Sequence, residues 1–427
     1  MRPNLIRPDR SVNRFRADTE FQWPLVEMSD VVTLNYGRAL KEGDRRPGPV
    51  PVYGTNGRTG WHDTPLGPGP TVILGRKGMG NLGVEWCEGP FWVIDTAYFV
   101  SFREDVLPRF FYYFTNYVGL NHLKDGTSNP SLSRDTFSRQ WFPLPPVDEQ
   151  RRIAEFLAAL DDKIAVNRQA NETLEAMAQA IYRDWFVDYG PTRAKAAGRP
   201  SYLAPEIWEM FPDTLDEAGK PSGWRRGSVS DVASQSKTAM SPSLFPKERF
   251  DHYSLPAYDD GQMPVSQLGA TILSNKTEVP PGAILLSKLN PEIPRVWLTP
   301  QAELSRQICS TEFLAFCANA KVGRAYVYLL FLDRNFRERL QGMVTGTSKS
   351  HQRVSPQSVL DIEIVLPPGD TGILEAFSTL VDPLLSQVIR NRQQCPTLAA
   401  LCDLALPKLI SGEVRLKNGD KKIEEAL

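Results

Sequence analysis

Residues 148–186 read DEQRRIAEFLAALDDKIAVNRQANETLEAMAQAIYRDWF, and this stretch decides the fold. Its apolar and small residues recur at alternating spacings of four and three, which is the a/d pattern of a coiled coil. At about 1.5 Å per residue, the pattern predicts a helix about 58 Å long. We expect its seam to contact another helix through Ile153, Leu157, Leu160, Ile164, Asn167, Asn171, Leu174, Ile181 and Trp185.

A second stripe with the same alternation runs from Leu374 to Leu409. Here we expect the seam contacts to come from Leu384, Val388, Asn391 and Leu398. Both stripes contain the tripeptide Asn-Arg-Gln, at 167–169 and 391–393. A buried Asn in such a seam lowers stability and fixes register and partner.

Three prolines distinguish the second stripe from the first: Pro383, Pro396 and Pro407. An interior proline costs about 3 kcal/mol or forces a kink. The second helix is therefore predicted to be bent or segmented.

The remaining sequence repeats in the same order around these helices. Trp23 and Trp224 are each followed seven residues later by Asp-Val. Later in each half, a Gly-Thr-Ser triplet (126–128 and 346–348) precedes a Leu-Pro-Pro triplet (144–146 and 366–368) and then a heptad-patterned helix. A repeat of about 200 residues is a duplicated domain, because solenoid units recur every 20–50 residues.

Within each repeat, short β-like runs such as Thr71–Leu74 and Ala283–Leu286 are broken by Gly and Pro. We predict an α+β fold in which two tandem α+β domains are separated by two long antiparallel coiled-coil helices, related by a pseudo-twofold axis. The predicted segments are a lead (1–22), a first domain (23–146), a central helix (147–188), a linker (189–223), a second domain (224–368), a distal helix (369–412) and a tail (413–427).

Composition restricts the class of protein. A chain of 427 residues with 41% apolar content has room for two to four globular domains. It contains no run of 18 apolar residues and no signal-peptide core at its N-terminus, so we expect a cytoplasmic protein without a membrane span. Five scattered cysteines fit a reducing compartment and provide no disulfide framework.

The net charge is −1, but residues 31–80 carry seven Lys/Arg against three Asp/Glu, which permits DNA binding without demanding it.

The sequence matches the known motifs of catalytic and cofactor sites only in part. Residues 78–83 match the dinucleotide pattern G-x-G-x-x-G, but the residues that follow do not start a helix, which that mechanism requires. The chain has no Walker loop, and Asn290-Pro291-Glu292-Ile293 lacks the second proline and the aromatic residue of a base methyltransferase turn. The four histidines are isolated, so metal ligation is not expected. We predict a non-catalytic chain with no metal site and no cofactor of its own.

Polar and aromatic residues on predicted loops are the remaining candidates for ligand contacts. Arg and Lys suit guanine edges and phosphates, and Asn can pair with adenine in the major groove; the alternative is that most of these are ordinary surface residues. The predicted DNA-binding residues are Tyr53, Asn56, Arg58, Arg76, Lys77, Ser128 and Asn129 in the first module, and Tyr253, Asn275, Lys276, Lys288, Asn290, Arg295, Ser348 and Lys349 in the second.

Several motifs resemble the specificity subunits of type I restriction-modification enzymes. They are Pro143–Ala154 (PLPPVDEQRRIA), Leu160–Ile164 (LDDKI), Trp185–Asp188 (WFVD), Ser287–Pro291 (SKLNP) and Leu406–Val414 (LPKLISGEV). They follow the order of that family over nearly the whole chain. One departure is that the second repeat lacks a Glu-Gln pair after its two prolines, which Gly369-Asp370 follow instead.

The resemblance implies two target-recognition domains, each reading half of a bipartite double-stranded DNA sequence, with the helices as spacers. It also implies two methyltransferase subunits that use S-adenosylmethionine to methylate adenine, and restriction/translocase subunits that use ATP and Mg. The alternatives are a duplicated coiled-coil scaffold or adaptor without a DNA role, and an enzyme with an unrecognised active site.

Overall fold

The structure is a computed structural model that describes residues 21–126, 128–301, 305–344 and 353–416. Most of the predicted lead and tail, and the predicted site residues Ser348 and Lys349, lie outside the described residues. The chain divides into two compact units: unit 1 comprises Met1–Ala165 and Pro396–Leu427, and unit 2 comprises Val166–Cys395. Both units combine helices and strands, as the α+β prediction requires.

Unit 1 begins with eleven short strands and three helices in the described residues. The strands are β1 (Leu25–Glu27), β2 (Val32–Tyr36), β3 (Val50–Gly54), β4 (Gly57–His62), β5 (Thr71–Gly75), β6 (Val84–Cys87), β7 (Trp92–Val93), β8 (Ala97–Phe102), β9 (Lys124–Asp125), β10 (Ser131–Leu132) and β11 (Trp141–Pro143). The helices are α1 (Met28–Val31), α2 (Pro108–Val118) and α3 (Arg134–Ser138), followed by the long helix α4 (Val147–Phe186), which continues into unit 2.

The centre of unit 1 is an antiparallel sheet with strand order β2-β8-β5-β6. Strand β5 is buried along its whole length because both faces of the sheet are covered. On one face, Val72 and Leu74 join the aromatic core of α2, which includes Phe110 and Phe114. On the other face, Ile73 lies in a smaller cluster under the second sheet, β4-β3-β7.

Unit 2 continues with the remaining elements. Its helices are α5 (Gly190–Ala196), α6 (Pro205–Trp208), α7 (Leu255–Asp259), α8 (Arg324–Leu332), α9 (Arg334–Gly342), α10 (Pro356–Leu360) and α11 (Ile373–Ser411), which continues into unit 1. Its strands are β12 (Arg225–Ser228), β13 (Ala233–Ser236), β14 (Ala239–Met240), β15 (Arg249–Tyr253), β16 (Val265–Leu268), β17 (Lys276–Glu278), β18 (Ile284–Ser287), β19 (Val296–Leu298), β20 (Arg306–Cys309), β21 (Phe313–Ala318) and β22 (Glu363–Leu366).

The main sheet of unit 2, β13-β21-β18-β19, has the same arrangement as that of unit 1. Its central strand β18 is again buried throughout, with Ile284 and Leu286 facing helix α8 and Leu285 facing a second cluster. The ribbon that opens and closes each domain is also repeated, as β1-β11 in unit 1 and β12-β22 in unit 2. The sequence repeat is therefore a repeat of the fold.

The long helices α4 and α11 run antiparallel within each unit. In unit 2, Asn171 Oδ1 accepts from Asn391 Nδ2 at 2.9 Å, and Asn167 Nδ2 donates to Gln394 Oε1 at 3.1 Å. In unit 1, the first turns of α4 share a core with the last turns of α11. The predicted Asn residues are buried in the seam.

Five predicted seam residues, Leu160, Leu174, Ile181, Leu384 and Leu398, are only half-buried, and at two equivalent positions the buried residue is the next one along the helix. In α4 the buried residue is Asp161 rather than Leu160, which is half-buried, and in α11 it is Leu385, 1% exposed, rather than Leu384. An α-helix with 3.6 residues per turn drifts by about 20° per heptad against a strict 3.5-residue repeat. The buried positions therefore follow spacings of 4, 4, 3 and 3 from Ile153 and again from Phe377.

The predicted segmentation of the second helix is wrong, since α11 is continuous from Ile373 to Ser411. Pro383 and Pro396 lie on its exposed side, and Pro407 is half-buried. A carbonyl that loses its partner on the exposed side can bond to water, while packing of the buried face holds the helix together.

The segment predicted to be a linker is ordered in the structure. It contains α5 and α6, and Thr192 and Phe211 are buried. The ring of Phe211 lies 5.1 Å from that of Trp185 in an edge-on contact. Residues 189–223 therefore contribute to the core of unit 2. None of the described helices is long and apolar enough to cross a membrane.

The first tryptophan of each repeat packs against the end of a long helix. In unit 2, the ring of Trp224 lies 6.0 Å from that of Phe186, the last residue of α4. In unit 1, Trp23 is buried beside Gly412, which follows α11 with a φ of 83°. A Cβ at Gly412 would lie 2.8 Å from Cε2 of Trp23, so glycine is needed both for the turn and for the contact.

We predict that the Asn171–Asn391 pair is coupled. Substituting either residue alone with Leu leaves a buried amide without its partner, which should lower the free energy of unfolding by about 1–3 kcal/mol. The double variant should lose less than the sum of the two. Denaturant titration of both single variants and the double variant measures this, with exposed Arg168→Ala on α4 as the control; strictly additive losses would contradict the coupling.

We predict that Gly412→Ala destabilises the protein by about 1–2 kcal/mol or more, because alanine in the left-handed region is strained and its methyl group meets the Trp23 ring. Gly43→Ala is the matched control, since its Cβ meets open space. Thermal unfolding of the two variants should show a lower Tm for Gly412→Ala alone. Equal Tm values would show that this contact is not tight in solution.

Candidate nucleic-acid interface

A loop that follows the central strand of unit 1 carries Arg76 and Lys77. Three backbone contacts hold it in place: Arg76 N donates to Thr96 O at 2.9 Å, Leu132 N donates to Arg76 O at 2.8 Å, and Lys77 forms a β-bridge with Ser131. The backbone at the end of β5 is thereby bonded to the start of β8 and to the strand β10.

The equivalent loop of unit 2 is held by the same three contacts. Lys288 N donates to Glu312 O at 3.0 Å, Val354 N donates to Lys288 O at 3.0 Å, and Leu289 forms a β-bridge with Arg353. Lys288 therefore occupies the position of Arg76. The duplication extends to individual backbone hydrogen bonds, while the side chains presented there differ.

In both units, a short helix capped by serine begins directly after the residue whose amide bonds to this loop, Leu132 in unit 1 and Val354 in unit 2. Ser133 Oγ accepts from Thr136 N at 3.0 Å at the start of α3, and Ser355 Oγ accepts from Ser358 N at 3.0 Å at the start of α10. A side-chain cap satisfies one of the free amides of the first turn and fixes where the helix begins. The Gly-Thr-Ser triplets lie shortly before these helices, although only Gly126 and Ser128 of them are described.

Three loops of unit 1 meet beside Lys77. Thr55 Oγ1 donates to Lys77 O at 2.8 Å, and Gly83 N donates to Thr55 O at 2.9 Å. Gly78 N donates to Pro130 O at 3.0 Å, which joins the loop that carries Asn129. The structure thus brings together the segments around residues 56, 76–77 and 128–129.

The predicted residues of unit 1 differ in exposure. Those with exposed side chains are Asn56, Arg58, Ser128 and Asn129, whereas Arg76 and Lys77 are half-buried. The guanidinium of Arg58 lies over the ring of exposed Trp61, 4.6 Å from its centroid. Tyr53 is 8% exposed and belongs to the cluster under β5, so its ring supports the loops from beneath.

Two predictions in unit 2 need correction. Tyr253 is 1% exposed, its hydroxyl accepts from Gln307 Nε2 at 2.9 Å, and its ring packs on Trp297, which does not fit a direct contact with DNA. Arg295 forms two hydrogen bonds of 2.8 Å to Asp259, so its fork of donors is occupied internally. Both are strand-end residues whose partners come from distant segments.

The other predicted residues of unit 2 that the structure describes are exposed or half-buried. Asn275 is exposed, while Lys276, Lys288 and Asn290 are half-buried. Burial lowers the pKa of Lys276 from its usual value. Asn290 has a φ of 49°, in the left-handed region that Asn tolerates better than most residues, at the position of Gly78 in unit 1.

Two residues of unit 1 beside these loops, Tyr36 and Arg134, are not among the DNA-binding residues predicted from the sequence. Tyr36 ends β2 and its ring is 45% exposed. The guanidinium of Arg134 lies 4.5 Å from the centroid of this ring, and that of Arg76 lies 4.7 Å from it. A cation at these distances from an aromatic face is attracted by the ring quadrupole. The strand pairing that joins the three residues was not visible in the sequence.

The glycine-rich residues 78–83 form the hairpin loop between antiparallel β5 and β6 and do not begin a helix. Lys124 Nζ donates to the carbonyls of Gly78 and Gly80, and Met79 at the loop tip is 75% exposed. Among the described residues, no group of three or more His, Cys, Asp or Glu side chains is arranged to hold a metal ion. The arrangement suits binding through loops.

A family model described as the type I restriction modification DNA specificity domain matches residues 21–176. The chain is 26% identical over 332 residues to the type I restriction enzyme MjaIX specificity subunit of Methanocaldococcus jannaschii, covering 74% of this chain and 71% of that protein. It is 23% identical over 337 residues to the HindI specificity subunit of Haemophilus influenzae, covering 67% and 71%.

The fold has a counterpart among solved structures. The S subunit of a type I restriction-modification system from M. genitalium superposes with a TM-score of 0.62 at 14% identity, covering 93% of this chain and 97% of that one. These matches confirm the resemblance predicted from the sequence: residues 21–176 match the model of the type I restriction modification DNA specificity domain, and the chain is similar to the specificity subunits of type I enzymes along most of its length.

Proposed function

We propose that this chain is the DNA-specificity subunit of a type I restriction-modification complex. Each of its two domains reads one half of a bipartite double-stranded target and directs adenine methylation or restriction by partner subunits. The similarity to named specificity subunits favours this function over the alternative of a scaffold without DNA specificity.

One observation carries the proposal: both units hold the same loop with the same backbone hydrogen bonds, yet present different side chains on it. Arg76 in unit 1 is replaced by Lys288 in unit 2, and Gly78 by Asn290. Sequence is read by side chains at base edges, while contacts to the sugar-phosphate backbone position the protein. A repeated scaffold with unlike side chains suits a target with two unlike halves.

The catalytic steps would belong to other subunits of the complex. Two methyltransferase subunits would bind S-adenosylmethionine and carry out the transfer to adenine. Restriction/translocase subunits would use ATP and Mg, and this chain would bind none of these cofactors in the cytoplasm of its host. This chain would recognise the DNA sequence, and none of its residues would take part in methyl transfer.

We predict that the two domains specify independently. Replacing residues 23–146 with the corresponding domain of a relative should change one half of the methylated sequence and leave the other half intact. The reciprocal replacement of residues 224–368 is the matched control and should change the other half. Sequencing of methylated bases in DNA from cells that express each hybrid with the methyltransferase subunits measures this; a change in both halves from one replacement would contradict it.

We also predict that methyl transfer requires the partner subunits. The purified chain incubated with labelled S-adenosylmethionine and target DNA should transfer no methyl group, whereas the same chain assembled with methyltransferase subunits should label the DNA. Methyltransferase subunits without this chain are the control and should show no sequence preference. Transfer by the chain alone would refute the assignment of a non-catalytic role.

A further inference from the structure

A cluster of one tyrosine and two arginines lies at the edge of the loops in unit 1. Tyr36 pairs across the sheet with Tyr98, and their ring centroids are 5.2 Å apart. Arg76 lies over both rings, and Arg134 lies over Tyr36. Backbone hydrogen bonds join the elements that carry these residues: β2 and β5 both pair with β8, and the amide of Leu132, just before α3, donates to the carbonyl of Arg76. The backbone positions of the three residues are therefore fixed relative to one another.

The positive charge of this cluster has no counter-ion within the described part of the chain. Neither Arg76 nor Arg134 has a described carboxylate within the 4.0 Å of an ion pair. Burial raises the pKa of Tyr98 to about 12, so its phenol is neutral near pH 7. Two guanidinium groups held at one ring without an anion repel each other, and an electron-rich ligand would relieve that repulsion.

In unit 2, an arginine beside the equivalent loop is paired with a carboxylate. Arg353 forms two hydrogen bonds of 3.1 Å to the carboxylate of Glu312. Glu312 occupies the position at which unit 1 has Thr96, because the two residues accept the same backbone hydrogen bond. Unit 1 therefore has Thr96 and Ser131 at the positions where unit 2 has the Glu312–Arg353 ion pair.

The two arginines of the cluster differ in how many donors they have left. Arg76 is half-buried, and its Nη1 donates to Asp95 O at 3.1 Å. Arg134 is exposed and makes no side-chain hydrogen bond with any described residue, while its backbone is fixed at the first position of α3 after the Ser133 cap. The contact with the Tyr36 ring restricts the position of the guanidinium without using its donors, which lowers the entropic cost of binding.

We propose that Arg134 is a specificity-determining residue that donates two hydrogen bonds to O6 and N7 of a guanine in the half-site read by unit 1. Tyr36 and Arg76 act as positioning residues for it. A planar fork with free donors is the group that recognises guanine in the major groove. The proposal rests on the function proposed above and adds the base class and the residue that reads it.

The guanidinium of Arg134 could instead bind a phosphate of the DNA backbone. Substitution of Arg134 with lysine distinguishes this phosphate contact from the guanine contact. Lysine keeps a point charge for a phosphate but lacks the planar guanidinium whose two parallel donors match O6 and N7 of guanine, so its contact with the base should be weaker. The test uses the full chain assembled with methyltransferase subunits in cells, with methylated sequences mapped for wild type, Arg134→Lys, Arg134→Gln and Tyr36→Leu. Arg139→Lys, an exposed arginine at the other end of α3, is the matched control.

The wild-type half-site assigned to unit 1 should contain a G·C pair at which both Arg134 variants lose about ten- to hundredfold discrimination, with every other position unchanged. Tyr36→Leu should relax the same pair, and Arg139→Lys should relax none. A half-site without a G·C pair, or an even loss of methylation at an unchanged sequence, would overturn the proposal and indicate a phosphate contact. Absence of any sequence-specific methylation with wild type would instead refute the proposed function, and this inference with it.

Discussion

Burial of the facing stripes of α4 and α11 is the constraint on which both units depend. Each unit contains one half of each helix, and neither half could bury its apolar stripe alone. In unit 2, Tyr182 and Trp185 of α4 share a core with Phe377 of α11 and with the helices of the domain. In unit 1, Ile153 and Leu157 share theirs with Leu409 and with α2. The seam and the domain core are one packed body in each unit.

Backbone hydrogen bonds explain how equivalent loops of the two units carry different side chains on the same fold. The loops are fixed through backbone groups, namely the amide of Leu132 on the carbonyl of Arg76 and the amide of Val354 on the carbonyl of Lys288. Backbone contacts place no demand on the side chain at the same residue. Side chains on these loops are therefore free to be selected for the ligand, with glycine at residue 78 and asparagine at residue 290 meeting the one local requirement for a positive φ.

Much of the architecture could be predicted because it has a period: the repeat, the two stripes and the buried Asn residues are all visible as spacings. The predictions that were wrong depend on helix geometry and on contacts between distant segments, which residue spacing does not show. Asp161 and Leu385 are buried because a straight helix drifts from the heptad, and Pro383 is tolerated because it faces outward. The burial of Tyr253 and the ion pair of Arg295 depend on segments far away in the sequence. Arg134 was missed because only strand pairing brings Tyr36 to it.

The division of the chain has a consequence for its synthesis. Unit 2 is one continuous stretch, Val166–Cys395, whereas unit 1 is completed only by residues after Pro396. On the ribosome, the inserted unit can therefore fold while the first-made domain still waits for its second helix half. During that interval Ile153 and Leu157 have the core around α2 but not their partners from α11. The unit that begins first in the chain is thus completed last, and a nascent chain that stalls before α11 is complete leaves one side of the unit 1 core uncovered.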